Sequence, residues 1–180
     1  MNKIFLKIFL VCFGVLVSGC QRDDLCPAST DTTPLLIIKF FDIEEPEETR
    51  SPTNLRVWDT ERDTILLDRV NVDSIMIPLK TFENNTEYAF TLNAREIDED
   101  DEDDEDDEDD TNTLIPNTDI LRFSYGREQV YVNRACAYKV IYSDLRLNID
   151  AGDDEAWIQT YTIEQTEVED ETNRHISIFY

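Results

Sequence analysis

A chain of 180 residues with 41 acidic against 16 basic side chains carries a formal charge of -25, with an isoelectric point near 4.1. That balance excludes nucleic acid as a partner of the folded body, because a polyphosphate repels it. Four glycines and a single histidine, His175, leave no material for a glycine-rich phosphate cradle or a histidine-rich metal centre.

The chain opens on Met1-Asn2-Lys3 with Lys7, then runs apolar from Ile8 to Val17. A permanent membrane helix needs roughly 20 apolar residues, so this run reads as the core of a removable export signal over residues 1–19. It ends on Leu16-Val17-Ser18-Gly19-Cys20, which resembles the lipobox of bacterial lipoproteins. The resemblance implies cleavage before Cys20, lipid on its sulfur and acylation of the new amino terminus with chains such as palmitate. Two or three acyl chains hold a protein to a bilayer persistently, where one alone does so only marginally. Gln21-Arg22-Asp23-Asp24 resemble the short export signal that carries Bacteroidota lipoproteins to the outer face of the outer membrane. The expected location is therefore the outer membrane, on the cell surface or, as the alternative, on the periplasmic face.

Removing residues 1–19, which contain Lys3 and Lys7 and no acid, leaves 161 residues and takes the formal charge from -25 to -27. That length is one domain and enough to bury a core. Cys12 leaves with the signal and Cys20 takes lipid, so Cys26 and Cys136 remain as a pair. In an oxidising compartment a disulfide between them is expected, and so long a loop stabilises by about 4–5 kcal/mol on the chain-entropy account.

Residues 20–33 are polar and read as a lipidated tether, with the domain proper over residues 34–180. From there the pattern is period two: Ile75, Ile77 and Leu79; Tyr88, Phe90 and Leu92; Leu121, Phe123 and Tyr125. Further strands are expected over Pro34–Asp42, Asn54–Asp59, Thr64–Asp68, Gln129–Asn133, Cys136–Ile149, Ala156–Thr166 and His175–Tyr180. Short strands rich in Val, Ile, Tyr, Phe and Thr, split by Asn, Asp and Pro, predict an all-β fold, an antiparallel Ig-like β-sandwich of about eight to nine strands. Pro78 cannot donate a ladder hydrogen bond, which places its strand at an edge.

From Asp98 to Asp110 every residue is acidic, with Glu-Asp-Asp triplets starting at Glu99, Glu102, Glu105 and Glu108. Such a run repels itself and has nothing to bury, so residues 96–118 read as a disordered hairpin loop. It contains no glycine to shape a calcium loop, which limits it to weak, salt-screened association with divalent cations.

The remaining candidates are weaker. His175 reads as a surface or half-buried strand histidine rather than a catalytic base. Acids are so abundant that any chosen pair for glycoside hydrolysis is uninformative. Trp58, Trp157, Tyr125, Tyr131, Tyr138, Tyr142 and Tyr161 offer a platform for sugar rings, although aromatics at alternating strand positions more often form core or cross-strand pairs. No catalytic residue, cofactor or resident metal is assigned.

Taken together, the lipobox, Cys26 just ahead of Thr33-Pro34-Leu35-Leu36-Ile37-Ile38-Lys39-Phe40-Phe41-Asp42, the strand Asp73-Ser74-Ile75-Met76-Ile77-Pro78-Leu79 and the later Ala135-Cys136-Ala137-Tyr138 resemble a Bacteroidota lipoprotein family built on a domain of unknown function. The resemblance implies a small β-sandwich with two recurring cysteines and no catalytic residues. Members usually carry Cys-Gly where this chain has Cys136-Ala137. The function expected is a non-enzymatic binding or structural role in the envelope, with an envelope protein or glycan as partner. A surface carbohydrate- or solute-binding module is the alternative, and a paired-carboxylate hydrolase the third reading.

Overall fold

A computed structural model describes residues 25–96, 114–152 and 155–180. The export signal, Cys20 with Gln21, Arg22, Asp23 and Asp24, and the acidic run from Asp98 to Asp110 lie outside these described residues. Nine strands follow one another: β1 (Leu36–Phe41), β2 (Leu55–Asp59), β3 (Thr64–Val70), β4 (Ser74–Ile77), β5 (Asn85–Leu92), β6 (Asn117–Asn133), β7 (Ala137–Asp150), β8 (Thr160–Ile163) and β9 (Ile176–Phe179). They form two packed sheets, one ordered β4-β1-β9-β8 and the other β3-β2-β5-β6-β7. The all-β sandwich expected from the period-two pattern is the fold observed.

Alternation explains which side chains meet. Leu36, Ile38 and Phe40 on β1, with Ile176 and Ile178 on β9, turn inward from the first sheet, while Leu55, Val57, Tyr88, Phe90, Leu121 and Phe123 answer from the second. Most of these side chains have no exposed surface, and each large one contributes about 1.5–3 kcal/mol by leaving water.

Several expectations need correction. The sandwich is not wholly antiparallel, since β1 and β9 pair in parallel, with Ile38 opposite Ile176 and Phe40 opposite Ile178. Leu121–Tyr125 and Gln129–Asn133 are not two strands but parts of one, because β6 runs 17 residues through a register shift between Ser124 and Gly126. The glycine fits that bulge, where a Cβ would come within 2.6 Å of Ser143 Oγ. The expected loop over 96–118 is shorter at its far end: β6 begins at Asn117, and Thr118 shares a hydroxyl hydrogen bond with Thr91 across the ladder. In Ala156–Thr166 only Thr160–Ile163 is strand, and Trp157 and Ile158 enter the core from irregular chain. Pro78 stands one residue beyond β4, and β4 is the edge strand that the proline implied.

Two crossing segments close the ends of the sandwich, and buried polar groups hold both. At one end the Tyr88, Tyr142 and Tyr125 hydroxyls donate to the carbonyls of Pro78, Leu79 and Lys80 at 2.7, 3.0 and 3.1 Å. Burial pushes the Tyr142 phenol up to about 12 and that of Tyr88 higher still, so both stay protonated and donate. At the other end Trp157 Nε1 donates to Phe90 O, and the buried Asp119 carboxylate accepts from Ile158 N at 2.9 Å. Burial raises the Asp119 pKa, and the backbone amides of Ile158 and Trp157 pull it back.

His175 departs furthest from the expectation of a surface or half-buried residue: its side chain is wholly buried. Its backbone N–H donates to Ile37 O, and its Nδ1 accepts from Ile37 N at 3.0 Å, so one residue satisfies both polar groups of Ile37 where the parallel pairing begins. Protonating Nδ1 would leave the Ile37 amide facing a donor.

Burial lowers the His175 pKa from 6.5, with Asp170 and Glu171 pulling the other way. The folded state binds fewer protons than the unfolded chain in that window, so this contribution is complete above 6.5 and is lost as pH falls through the lower folded value. A His175→Gln variant has no such titration. Its deficit in urea midpoint against the wild type is expected to shrink between about pH 7.5 and about pH 5; an equal deficit at both would contradict the assignment.

Candidate functional site

The place where the chain's expected chemistry meets its geometry is the far end of the β6–β7 hairpin. β5 pairs with β6 only as far as Asn85 opposite Ser124, yet β6 and β7 continue together to Asn133 opposite Ala137. The extra length is an arm whose inner part is covered where Val168 bridges to Tyr142 and whose outer part, toward Tyr131 and Tyr138, stands beyond the sheet. Asn133 shapes its tip: the side-chain Oδ1 accepts from the amides of Ala135 and Cys136 at 2.9 and 2.8 Å, satisfying the turn from within. Cys136 is then joined to Cys26 by a disulfide across 110 residues of sequence, with 4.8 Å between Cα atoms. The pairing expected once Cys12 and Cys20 were set aside is the one present.

The disulfide ties the incoming chain to the arm. Behind it, Thr33 Oγ1 accepts from Val140 N at 3.0 Å, and Glu171 accepts from Leu35 N at 2.8 Å. The part of the tether from Leu25 to Thr33 is thus stapled and hydrogen-bonded along β7, a docking that its polar composition did not suggest. Between it and the loop at Glu169–Thr172 lies a cleft of about 380 Å³ bordered by Asp31, Glu169, Asp170 and Glu171. Asp170 is held below the usual carboxylate range by the hydroxyl and amide of Thr172, a turn interaction. A second groove, of about 280 Å³, is lined by Asp59, Arg62, Lys80, Phe82, Glu83 and Tyr88. There Glu61 and Glu83 flank the nearly buried Lys80 ammonium, and the hydrogen bond to Glu61 raises its pKa.

The aromatic residues read as a platform do not come together. Trp157, Tyr125 and Tyr142 are core, Trp58 is half-buried on β2, and the Tyr161 hydroxyl donates to Leu147 O. Tyr131 and Tyr138 stand apart from the rest, opposite each other on the arm with ring centroids 5.4 Å apart. Among the described residues no group of three or more His, Cys, Asp or Glu side chains has metal-ligating geometry. Sequence reasoning missed Asp119 and Thr33 because their partners lie 39 and 107 residues away; Asn133, whose partners are 2 and 3 residues on, carried a local signal, since asparagine closes turns through its own side chain.

The fold and this end of it define a small two-sheet β-sandwich domain whose leading segment is covalently stapled to a protruding hairpin. The chain belongs to the family of unknown function DUF6452, which matches it over residues 54–180. The matched region holds Cys136 and strands β2 to β9; Cys26 and β1 precede it. No curated protein matches the chain, and no solved structure does.

The tip also places Ala137 in a backbone conformation that suits glycine better. Its φ is +59°, in the left-handed region that costs a residue with a Cβ roughly 1–2 kcal/mol and a glycine almost nothing. After the greater flexibility of glycine in the unfolded chain is discounted, Ala137→Gly is expected to stabilise by up to about 1 kcal/mol, a Tm rise of roughly 2–4 °C in calorimetry. A fall in Tm would show that the tip is not strained.

Proposed function

We propose that the protein is a lipid-anchored envelope lipoprotein, held to the outer membrane through acylated Cys20, whose β-sandwich is a non-enzymatic binding or packing module. The observation that carries this reading is the opening of the chain, a charged start and a short apolar run ending on Leu16-Val17-Ser18-Gly19-Cys20. The Cys26–Cys136 disulfide supports it, since such bonds persist in oxidising compartments outside the cytosol. Gln21-Arg22-Asp23-Asp24 favour display on the cell surface over the periplasmic face.

The non-enzymatic part of the reading rests on where the perturbed groups are spent. Tyr88, Tyr125 and Tyr142 bind carbonyls, Asp119 binds an amide and His175 binds Ile37, so each holds the framework together. Catalysis would want such groups converging on a substrate. Partners are accordingly an envelope protein or a glycan met by the surface.

Cys20→Ser is expected to abolish metabolic labelling with palmitate and to leave residues 1–19 uncleaved. Palmitate labelling that persists in the variant would refute the anchor.

A further inference from the structure

We propose that the tip of the β6–β7 arm rests in the headgroup layer of the membrane that holds the protein, with Tyr131 and Tyr138 as the seating side chains. The inference rests on the reading of Cys20 as the lipidated residue and adds to it an orientation and a contact surface.

Reach comes first. Six residues lead from Cys20 to Cys26, and at about 3.3–3.6 Å per residue they span at most about 20 Å. Cys26 is not free to wander from there, because its disulfide fixes it to Cys136 at the tip of the arm. The lipid therefore pulls on the tip. β6 runs 17 residues from the tip to the opposite end of the sandwich, on the order of 50 Å. Asn117, Ile115 and Leu114, which follow the acidic run, lie at that opposite end.

The tip also has the right surface. On the same face of the arm, Tyr142 is packed into the core while Tyr138 is 62 % exposed, and Tyr131 opposite it is 58 % exposed. Leu25, 82 % exposed, adjoins the staple. Tyrosine has an apolar ring and a polar end, the combination that favours the boundary between headgroups and acyl chains. Charge points the same way. From Gln129 to Ser143 the chain has no acid and carries Arg134 and Lys139, the longest acid-free stretch after Cys20 in a chain with 41 acids. Part of that charge is offset, since Lys139 lies beside Asp170 and donates to Glu169 O. An anionic bilayer would repel the body most strongly and the outer arm least, with the acids of the cleft at Asp31 and Glu169–Glu171 set beside the arm rather than on it.

The test uses the full lipidated protein in vesicles of phosphatidylethanolamine and phosphatidylglycerol, with two single variants, Tyr138→Trp at the tip and Ile115→Trp at the opposite end. Ile115 is also exposed, so both reporters begin in water. Flotation with the vesicles and the mass of the acylated N-terminal peptide check the anchor independently. With the anchor present, brominated lipids are expected to quench the Tyr138→Trp emission at least about twofold over the wild-type background and to leave Ile115→Trp unquenched, the contrast expected of one buried and one remote aromatic. If the protein floats and Tyr138→Trp stays as open to aqueous acrylamide as in the vesicle-free protein, the seating is refuted while the anchor stands. Shielding of Tyr138→Trp without lipid quenching would mean that a second copy covers the pair, which also overturns the proposal. If the N-terminal peptide carries no acyl mass, the anchor itself is wrong.

Discussion

The parallel pairing of the first strand with the last is the contact on which the remaining architecture depends. β1 and β9 occupy the middle of their sheet, so β4 can attach only once β1 is in place and β8 only once β9 is. Their partners are separated by about 138 residues, as the His175–Ile37 bonds show, and closing so long a loop costs entropy before any contact offsets it. Buried side chains supply the compensation, with Leu36, Ile38, Phe40, Ile176 and Ile178 all inside. On the outer face Phe41 stacks on Phe179 at 5.5 Å, and Arg174 covers the Phe41 ring.

Given that frame, the polar interior becomes intelligible. A sandwich leaves its two ends open, and the chain must cross from sheet to sheet at each. Backbone groups at such crossings lose water without gaining a ladder, so side chains have to satisfy them. Three tyrosines do this at Pro78–Lys80, and Asp119 with Trp157 does so at the other end. The same residues that look chemically promising in a sequence are thereby committed to the fold.

The staple also links the chemistry of a single cysteine to the orientation of the whole domain. Under the proposed lipidation of Cys20, a flexible tether alone would let the sandwich tumble at the end of its lipid. Joined to the arm through Cys136 and bonded to β7 through Thr33, the segment ahead of β1 has one fixed place on the domain. Under the proposed anchoring, that attachment turns the acid-free arm rather than the strongly acidic body toward the bilayer.

The sequence by itself determined the all-β class, the inward alternation at Ile75–Leu79, Tyr88–Leu92 and Leu121–Tyr125 and the edge position near Pro78, and it led to the expectation that Cys26 pairs with Cys136. The first three follow from local periodicity and proline chemistry, and the last from setting Cys12 and Cys20 aside under the lipoprotein reading; none needs knowledge of the fold. Tertiary structure alone decided that β9 returns parallel to β1, that β6 is continuous through Gly126, that His175 is buried and that Trp157 and Tyr142 are core while Tyr131 and Tyr138 are not. Tyr138 and Tyr142 share one face of one strand, and period two makes them equivalent. What separates them is cover from elsewhere in the chain: Val168 bridges to Tyr142, whose hydroxyl reaches Leu79 O, while Tyr138 stands farther out toward the tip. Burial is decided by which distant segments reach over a residue, and that is a property of the assembled fold.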